Sequence, residues 1–213
     1  MKIRFVINLV LTLIFYFSVA NAQNGTSTIA GSKVTCPEKW WAAMHPFVAG
    51  KAITITLDVL EITDSLWGEK NTEYNLTPQQ ADAFRHAFWM ASLVQEIHWR
   101  KARSLGNAHE RGNYRTFRKN IRQGKDDLHD EAAKQMDLWN NREGIAIGIA
   151  KSGSNRKELI QVVRDSIESG ALKIIRTTAS GKYLDCNGNN IAEENYKNKW
   201  FNDKCLVPSD AKQ

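Results

Sequence analysis

Asp82, Arg85, His86 and Trp89 recur at helical spacing in Asp82-Ala-Phe-Arg85-His86-Ala-Phe-Trp89. With Asp82 as zero on a helical wheel, His86 falls at about 40°, Arg85 at about 300° and Trp89 at about 340°. An aspartate and a histidine one turn apart present either two metal ligands or a base and the group that orients it. A second polar sector lies in Met136-Asp137-Leu-Trp-Asn140-Asn141-Arg-Glu-Gly144. From Asp137, Asn140 falls at about 300° and Asn141 at about 40°, with Gly144 and Gly148 between them. Ala108-His109-Glu110 lies between the two stretches.

The remaining directions of both helices are apolar: Phe84, Ala87, Phe88, Met90, Ala91 and Val94 on one, and Met136, Leu138, Trp139, Ile145, Ala146 and Ile149 on the other. Helices apolar almost all round are buried. A buried Asp, Arg and His are costly unless paired. The two polar sectors are therefore expected to face one another, with His109 and Glu110 closing the cleft. Glycines on the second sector would let a backbone or ligand approach closely.

Three arrangements satisfy these residues. A divalent metal would take Asp82 and His86, completed from His109, Glu110 and Asp137. A metal-free acid–base site would use His86 or His109 as base, oriented by Asp82 or Asp137, with Arg85 and the asparagine amides holding an oxyanion. A buried structural network would pair Arg85 with Asp82 or Asp137 and do no chemistry. Other chemistries lack their motifs: H-E-x-x-H, a G-x-S-x-G elbow, a P-loop and C-x-x-C are all absent. Asp185-Cys-Asn187-Gly-Asn189 imitates a calcium loop, but Asn190 holds the glycine position and Tyr196 that of the bidentate glutamate. It reads as a turn.

Six basic residues, Arg111, Arg115, Arg118, Lys119, Arg122 and Lys125, crowd one stretch without an acid among them. They suit an anionic envelope component, or form a solvated face. The formal charge of +6 is moderate, which disfavours nucleic acid as a partner. His98 and His129-Asp130 read as surface residues, and His45 as part of a helix start.

The elements that position these groups are mostly helices. Hydrophobic residues make up 42% and prolines number four, which excludes disorder and fits one domain. Helices are expected over about 40–67, 78–105, 127–150 and 156–168, the second opened by Thr77-Pro78-Gln79-Gln80. The basic stretch from Arg111 to Lys125 reads as irregular. Residues 171–176 read as a strand turning at Ala179-Ser-Gly181 into a partner at 182–185. The fold class is mainly α: a helical bundle with a small C-terminal β-hairpin and a disulfide-closed loop. Its domain spans residues 40–210, preceded by a flexible segment over 23–39.

The first residues are basic and then apolar, ending in Ala20-Asn21-Ala22, which reads as a signal peptide over 1–22 cleaved near Ala22. No second apolar span follows, so the mature chain is expected to be secreted or periplasmic. In an oxidising compartment Cys186 and Cys205 would bridge, leaving Cys36 free or paired between molecules.

The ordered motifs around Arg85-His86, His109-Glu110 and Asp137-Asn140-Asn141 resemble a bacterial family of helical domains of unknown function, found in secreted and toxin-like proteins. His45-Pro46, the Gly170 exit and Leu206-Val-Pro-Ser-Asp210 are similar as well. The resemblance implies that Arg85, His86, His109, Glu110, Asp137, Asn140 and Asn141 are shared polar positions, but it names no reaction. The sequence thus points to a hydrolase on a phosphoester or cell-envelope substrate. His86, His109, Asp137, Glu110 and Arg85 would be catalytic, and Asp82, Asn140, Asn141 and Trp89 would bind substrate. Candidate ligands for a divalent metal are Asp82, His86, His109 and Asp137. The rivals are a non-catalytic envelope module and a secreted nuclease toxin.

Overall fold

The computed structural model describes residues 28–29, 32–67 and 76–211. The expected signal peptide over 1–22 lies outside the described residues. The described residues before Thr35 form a unit of their own, in which β1 (Thr28–Ile29) pairs antiparallel with β2 (Ser32–Lys33). The second unit starts at Thr35 and, among the described residues, holds six α-helices: α1 (Cys36–Met44), α2 (Pro46–Trp67), α3 (Pro78–Glu96), α4 (Trp99–Arg122), α5 (Glu131–Ala150) and α6 (Arg156–Glu168). Two short strands, β3 (Lys173–Ile175) and β4 (Leu206–Pro208), follow. The class is mainly α, with a small C-terminal antiparallel strand pair and a Cys186–Cys205 disulfide closing the loop before β4. Among the described residues no helix is long and apolar enough to cross a membrane.

α3 is the centre of the bundle. It packs against α2, α4, α5, α6 and β3. Ala83, Phe84, Ala87, Phe88, Met90, Ala91 and Leu93 are at most 1% exposed, as a helix apolar all round requires. It starts as its sequence dictates: Thr77 N donates to Gln80 Oε1 at 2.9 Å and Gln80 N to Thr77 Oγ1 at 3.3 Å. α5 lies closest to it. A Cβ at Gly144 would overlap the carbonyl of Ala87, and one at Gly148 would stand 2.8 Å from the carbonyl oxygen of Ala91.

Several expectations are corrected, and the helix expected over 40–67 is itself two, α1 and α2, parted at His45. The helix expected over 78–105 is two helices, because Ile97 turns extended and His98 caps α4 by accepting from Arg100 N at 3.2 Å. Neither glycine nor proline marks that break. Gly106, taken as a helix end, instead lies inside α4, where a Cβ would come 3.1 Å from Asn141 Nδ2. The stretch from Arg111, expected to be irregular, therefore continues α4 as far as Arg122. Finally, β3 pairs with β4, while the expected turn at 179–181 brings 182–184 back only against the residues after β3, with Leu184 N donating to Arg176 O at 3.0 Å and Thr177 bridging Tyr183. Ile174 and Ile175 are buried, and β4 is delivered beside them by Cys205, whose carbonyl accepts from Arg176 N at 2.8 Å.

Asp130 is not the surface residue its sequence suggested. It is 1% exposed and caps α5 by accepting from Ala133 N at 2.8 Å. Its other oxygen takes Lys204 Nζ at 2.6 Å and Asn202 Nδ2 at 3.0 Å. Lys204 also lies over Tyr183, 3.8 Å from the ring centre. The disulfide-closed loop is thereby tied to the first turn of α5. α1 begins at Cys36, inside the segment expected to be flexible, and Trp41 Nε1 holds it to α4 through Ser104 Oγ at 2.7 Å.

Two measurements check these contacts. Asp130→Ala strands a buried ammonium and should destabilise the protein by about 3–5 kcal/mol in urea unfolding, whereas removing both charges in Asp130→Asn/Lys204→Met should recover part of the loss. Gly144→Ala forces α5 off α3 and should lower stability by about 1–3 kcal/mol despite its better helix propensity.

Candidate functional site

The contact of α3 with α5 places His86 between carboxylates. His86 Nδ1–H donates to Asn141 Oδ1 at 3.2 Å. Its Nε2 lies 3.3 Å from Asp137 Oδ1 and 3.8 Å from Asp82 Oδ1. Arg85 pairs with Asp82 from the outer side of α3. The cluster is graded in depth. The side chains of Arg85 and Asp82 are 44% and 32% exposed, while those of His86 and Asp137 are only 7% and 11% exposed. Glu110, at 2%, is deeper still.

α4 contributes the other wall. The His109 and His86 ring centres are 6.1 Å apart, and Trp89 meets His109 edge-on at 5.5 Å. His109 Nδ1–H donates to Glu38 Oε1 at 2.8 Å. Glu38 is in turn held by Thr35, whose backbone N donates to Oε2 at 2.7 Å. Sequence reasoning missed Glu38, although Thr35-Cys-Pro-Glu38 carries the spacing of a capping box. In a capping box the glutamate turns back over the helix end; here its second oxygen orients a histidine.

Not every expected residue enters the pocket. Asn140 is fully buried, and both ends of its amide bond the backbone of Lys173, at 2.9 Å each, which docks β3 on α5. Trp89 donates its indole N–H to Thr56 Oγ1 at 2.9 Å and walls the site beside His109. Asp82, Arg85, His86, His109, Glu110, Asp137 and Asn141 are brought together. Of the four expected metal candidates, Asp82, His86 and Asp137 offer ligand atoms within 4.8 Å of one another. His109 stands apart, with its Nδ1 engaged by Glu38.

Burial separates the protonation behaviour of these groups. Glu110 is pushed up to about 7, first by burial and then by the charge of Asp137. Asp137 is raised well above the carboxylate range by burial and by Asp82. His86 is lowered by burial, against the opposing pull of Asp82 and Glu110. Burial also acts to lower His109, but the Glu38 hydrogen bond and the charges of Glu110, Glu38 and Asp137 outweigh it and raise the group. Three buried polar atoms among the described residues lack a hydrogen-bond partner: Glu110 Oε1, Asp137 Oδ1 and Asn141 Nδ2. All belong to this pocket.

The Glu38–His109 pair makes stability depend on pH. Glu38 is lowered from its ordinary 4.5, because its bonds to His109 and Thr35 outweigh burial, so its contribution is lost as pH falls through its folded value. His109 is raised from 6.5, so its contribution is lost as pH rises through its folded value. The pair therefore stabilises most between these ordinary values. Melting curves of wild type and Glu38→Gln should differ most near pH 5.5, roughly midway, and the difference should shrink as pH rises through the folded value of His109, leaving the part that the Thr35 bonds supply.

No curated protein and no solved structure matches the chain significantly. A family model, described as a domain of unknown function (DUF6973), matches residues 39–171. That span runs from α1 to the residue after Gly170 and carries the pocket residues of α3, α4 and α5, with Glu38 immediately before it. By this match over more than half of its length, the chain belongs to the DUF6973 family.

Proposed function

We propose that this domain is an extracytoplasmic hydrolase acting on a phosphoester or another ester of the cell envelope. One observation carries the reading: His109, oriented by Glu38, faces His86 across 6.1 Å in a buried polar cluster whose outer member, Arg85, is exposed. Environments that push two histidines in opposite directions divide acid from base roles. In this reading the attacking water sits against Asp82, His86 and Asp137, and Arg85 receives the anionic group of the substrate. His86 takes a proton from the water as it adds at phosphorus or the carbonyl carbon, the bond to the leaving oxygen breaks, and His109 protonates that oxygen.

The compartment is supported by the basic-apolar N-terminal sequence and by the Cys186–Cys205 disulfide. The basic residues support a polyanionic partner. Arg111, Arg115, Arg118, Lys119 and Arg122 are exposed on α4 beyond His109 and Glu110, and Lys125 follows. A cleft of about 270 Å³, lined by Glu110, Arg111, Tyr114, Glu131, Lys134 and Trp200, joins this face to the buried glutamate. The non-catalytic reading draws its support from Asn140 and Trp89, whose polar atoms are engaged within the fold.

The purified protein is expected to hydrolyse at least one of bis(p-nitrophenyl) phosphate, p-nitrophenyl acetate and anionic phospholipid vesicles. His109→Asn should lower kcat by about 10²–10⁴-fold while retaining the fold. Turnover of none of the three, or undiminished turnover by His109→Asn, overturns the reading. A salt-dependent gel shift with DNA would favour the nuclease toxin instead.

A further inference from the structure

The arrangement around His86 leaves a buried oxygen without a partner beside an imidazole and a second carboxylate. Because Nδ1–H is given to Asn141 Oδ1, the lone pair is on Nε2. That lone pair faces Asp137 Oδ1 at 3.3 Å and Asp82 Oδ1 at 3.8 Å. Two carboxylate oxygens thus converge on one imidazole nitrogen, in a place where little water screens their charges. Asp137 Oδ1 has no hydrogen-bond partner at all. A cation relieves such a set. Ligand atoms at about 2.0–2.1 Å from one ion stand about 3–3.4 Å apart, so the His86–Asp137 separation already fits. Asp82 lies 3.8 Å from His86 and is paired with Arg85 through the same oxygen. It must draw in to complete a set whose atoms now lie within 4.8 Å of one another.

A second observation points to the same cluster. Glu110 Oε1 is also unpartnered, on a residue 2% exposed. Asn141 is bonded to His86, and the charge of Glu110 acts on His86, His109 and Asp137. Arg85 does not supply the missing partner. It meets Asp82 from the exposed side and holds that carboxylate in place. Elsewhere on α5 the fully buried Asp130 engages both oxygens, so open carboxylate atoms are a property of this pocket and not of the helix.

We infer that Asp82, His86 and Asp137 bind one divalent transition-metal cation, leaving its remaining positions open to water and substrate. One imidazole and two carboxylates suit Mn²⁺, Fe²⁺ or Zn²⁺ and not Ca²⁺, which takes oxygen ligands. As a binding site this stands on the geometry alone; as the source of an activated water it rests on the hydrolase reading.

The test uses the tag-free full chain, stripped with EDTA, dialysed, and titrated with MnCl₂ or ZnCl₂ by calorimetry while melting is followed. One equivalent should bind, and the melting temperature should rise with cation concentration. Asp137→Asn should weaken binding at least about ten-fold, as loss of a ligand requires, and the exposed control Asp165→Asn should not. If Asp137→Asn fails to fold, Asp82→Asn, at the more exposed ligand, gives the same reading. Absence of both heat and melting shift with either cation overturns the site, as does unaltered binding in the ligand variants. Cation binding without ester hydrolysis upholds the site and overturns the hydrolase. Hydrolysis that persists in EDTA with no cation bound does the reverse.

Discussion

The depth at which α5 settles against α3 governs the rest of the molecule. At Gly144 the two backbones meet with no room for a side chain, and Gly148 repeats the contact one turn on. Each mid-helix glycine costs roughly 0.5–1 kcal/mol relative to alanine, a loss that the packing of a fully buried helix can offset. His86 immediately precedes Ala87, the residue Gly144 touches, and Asp137 and Asn141 share the face of Gly144. The 3.2 and 3.3 Å separations at His86 are therefore set by the distance between the helices. A crossing wider by one methyl group would carry both partners out of reach.

Two buried charge clusters at α5 differ in how far they are satisfied. At its first turn Asp130 is surrounded by donors, from Ala133 N, Asn202 and Lys204, and is complete. Two turns later Asp137 keeps an oxygen without a partner beside an imidazole and a second carboxylate. A buried polar group left open costs free energy that a purely structural network would avoid. Natural folds accept such a cost at sites where chemistry or a ligand needs it. The same low dielectric separates the two histidines in proton affinity and holds Glu110 near neutrality.

Segments distant in sequence brace the pocket from two sides. α1 brings Glu38 across to His109 on α4, a separation of 71 residues. The C-terminal tail brings Lys204 back to Asp130, 74 residues away, and the disulfide shortens the loop that delivers it. By the chain-entropy account, closing a loop of that size contributes about 3 kcal/mol. The brace at the start of α5 and the glycine contact along it together fix the rotation of the helix, and so the direction of Asp137.

Sequence alone determined the two polar sectors, the apolar surroundings that bury them, the mainly helical class, the Thr77 cap and the Cys186–Cys205 pairing. Each follows from spacing along the chain, because rotation about a helix axis and the closure of a short loop are local properties. Tertiary structure alone decided which polar groups meet. It turned Asn140 to the backbone of Lys173 and Asn141 to His86, although the two are adjacent. It continued α4 through Gly106, where the glycine serves packing and not termination. It broke the chain at Ile97 with only a histidine cap to mark the place, and it paired β3 with β4 instead of the nearer 182–185. It drew Glu38 and Lys204 into clusters whose other members lie far along the chain. Periodicity states the direction in which a side chain leaves its own helix. How deep that helix lies, and what arrives from elsewhere to meet it, are set by packing the whole core at once.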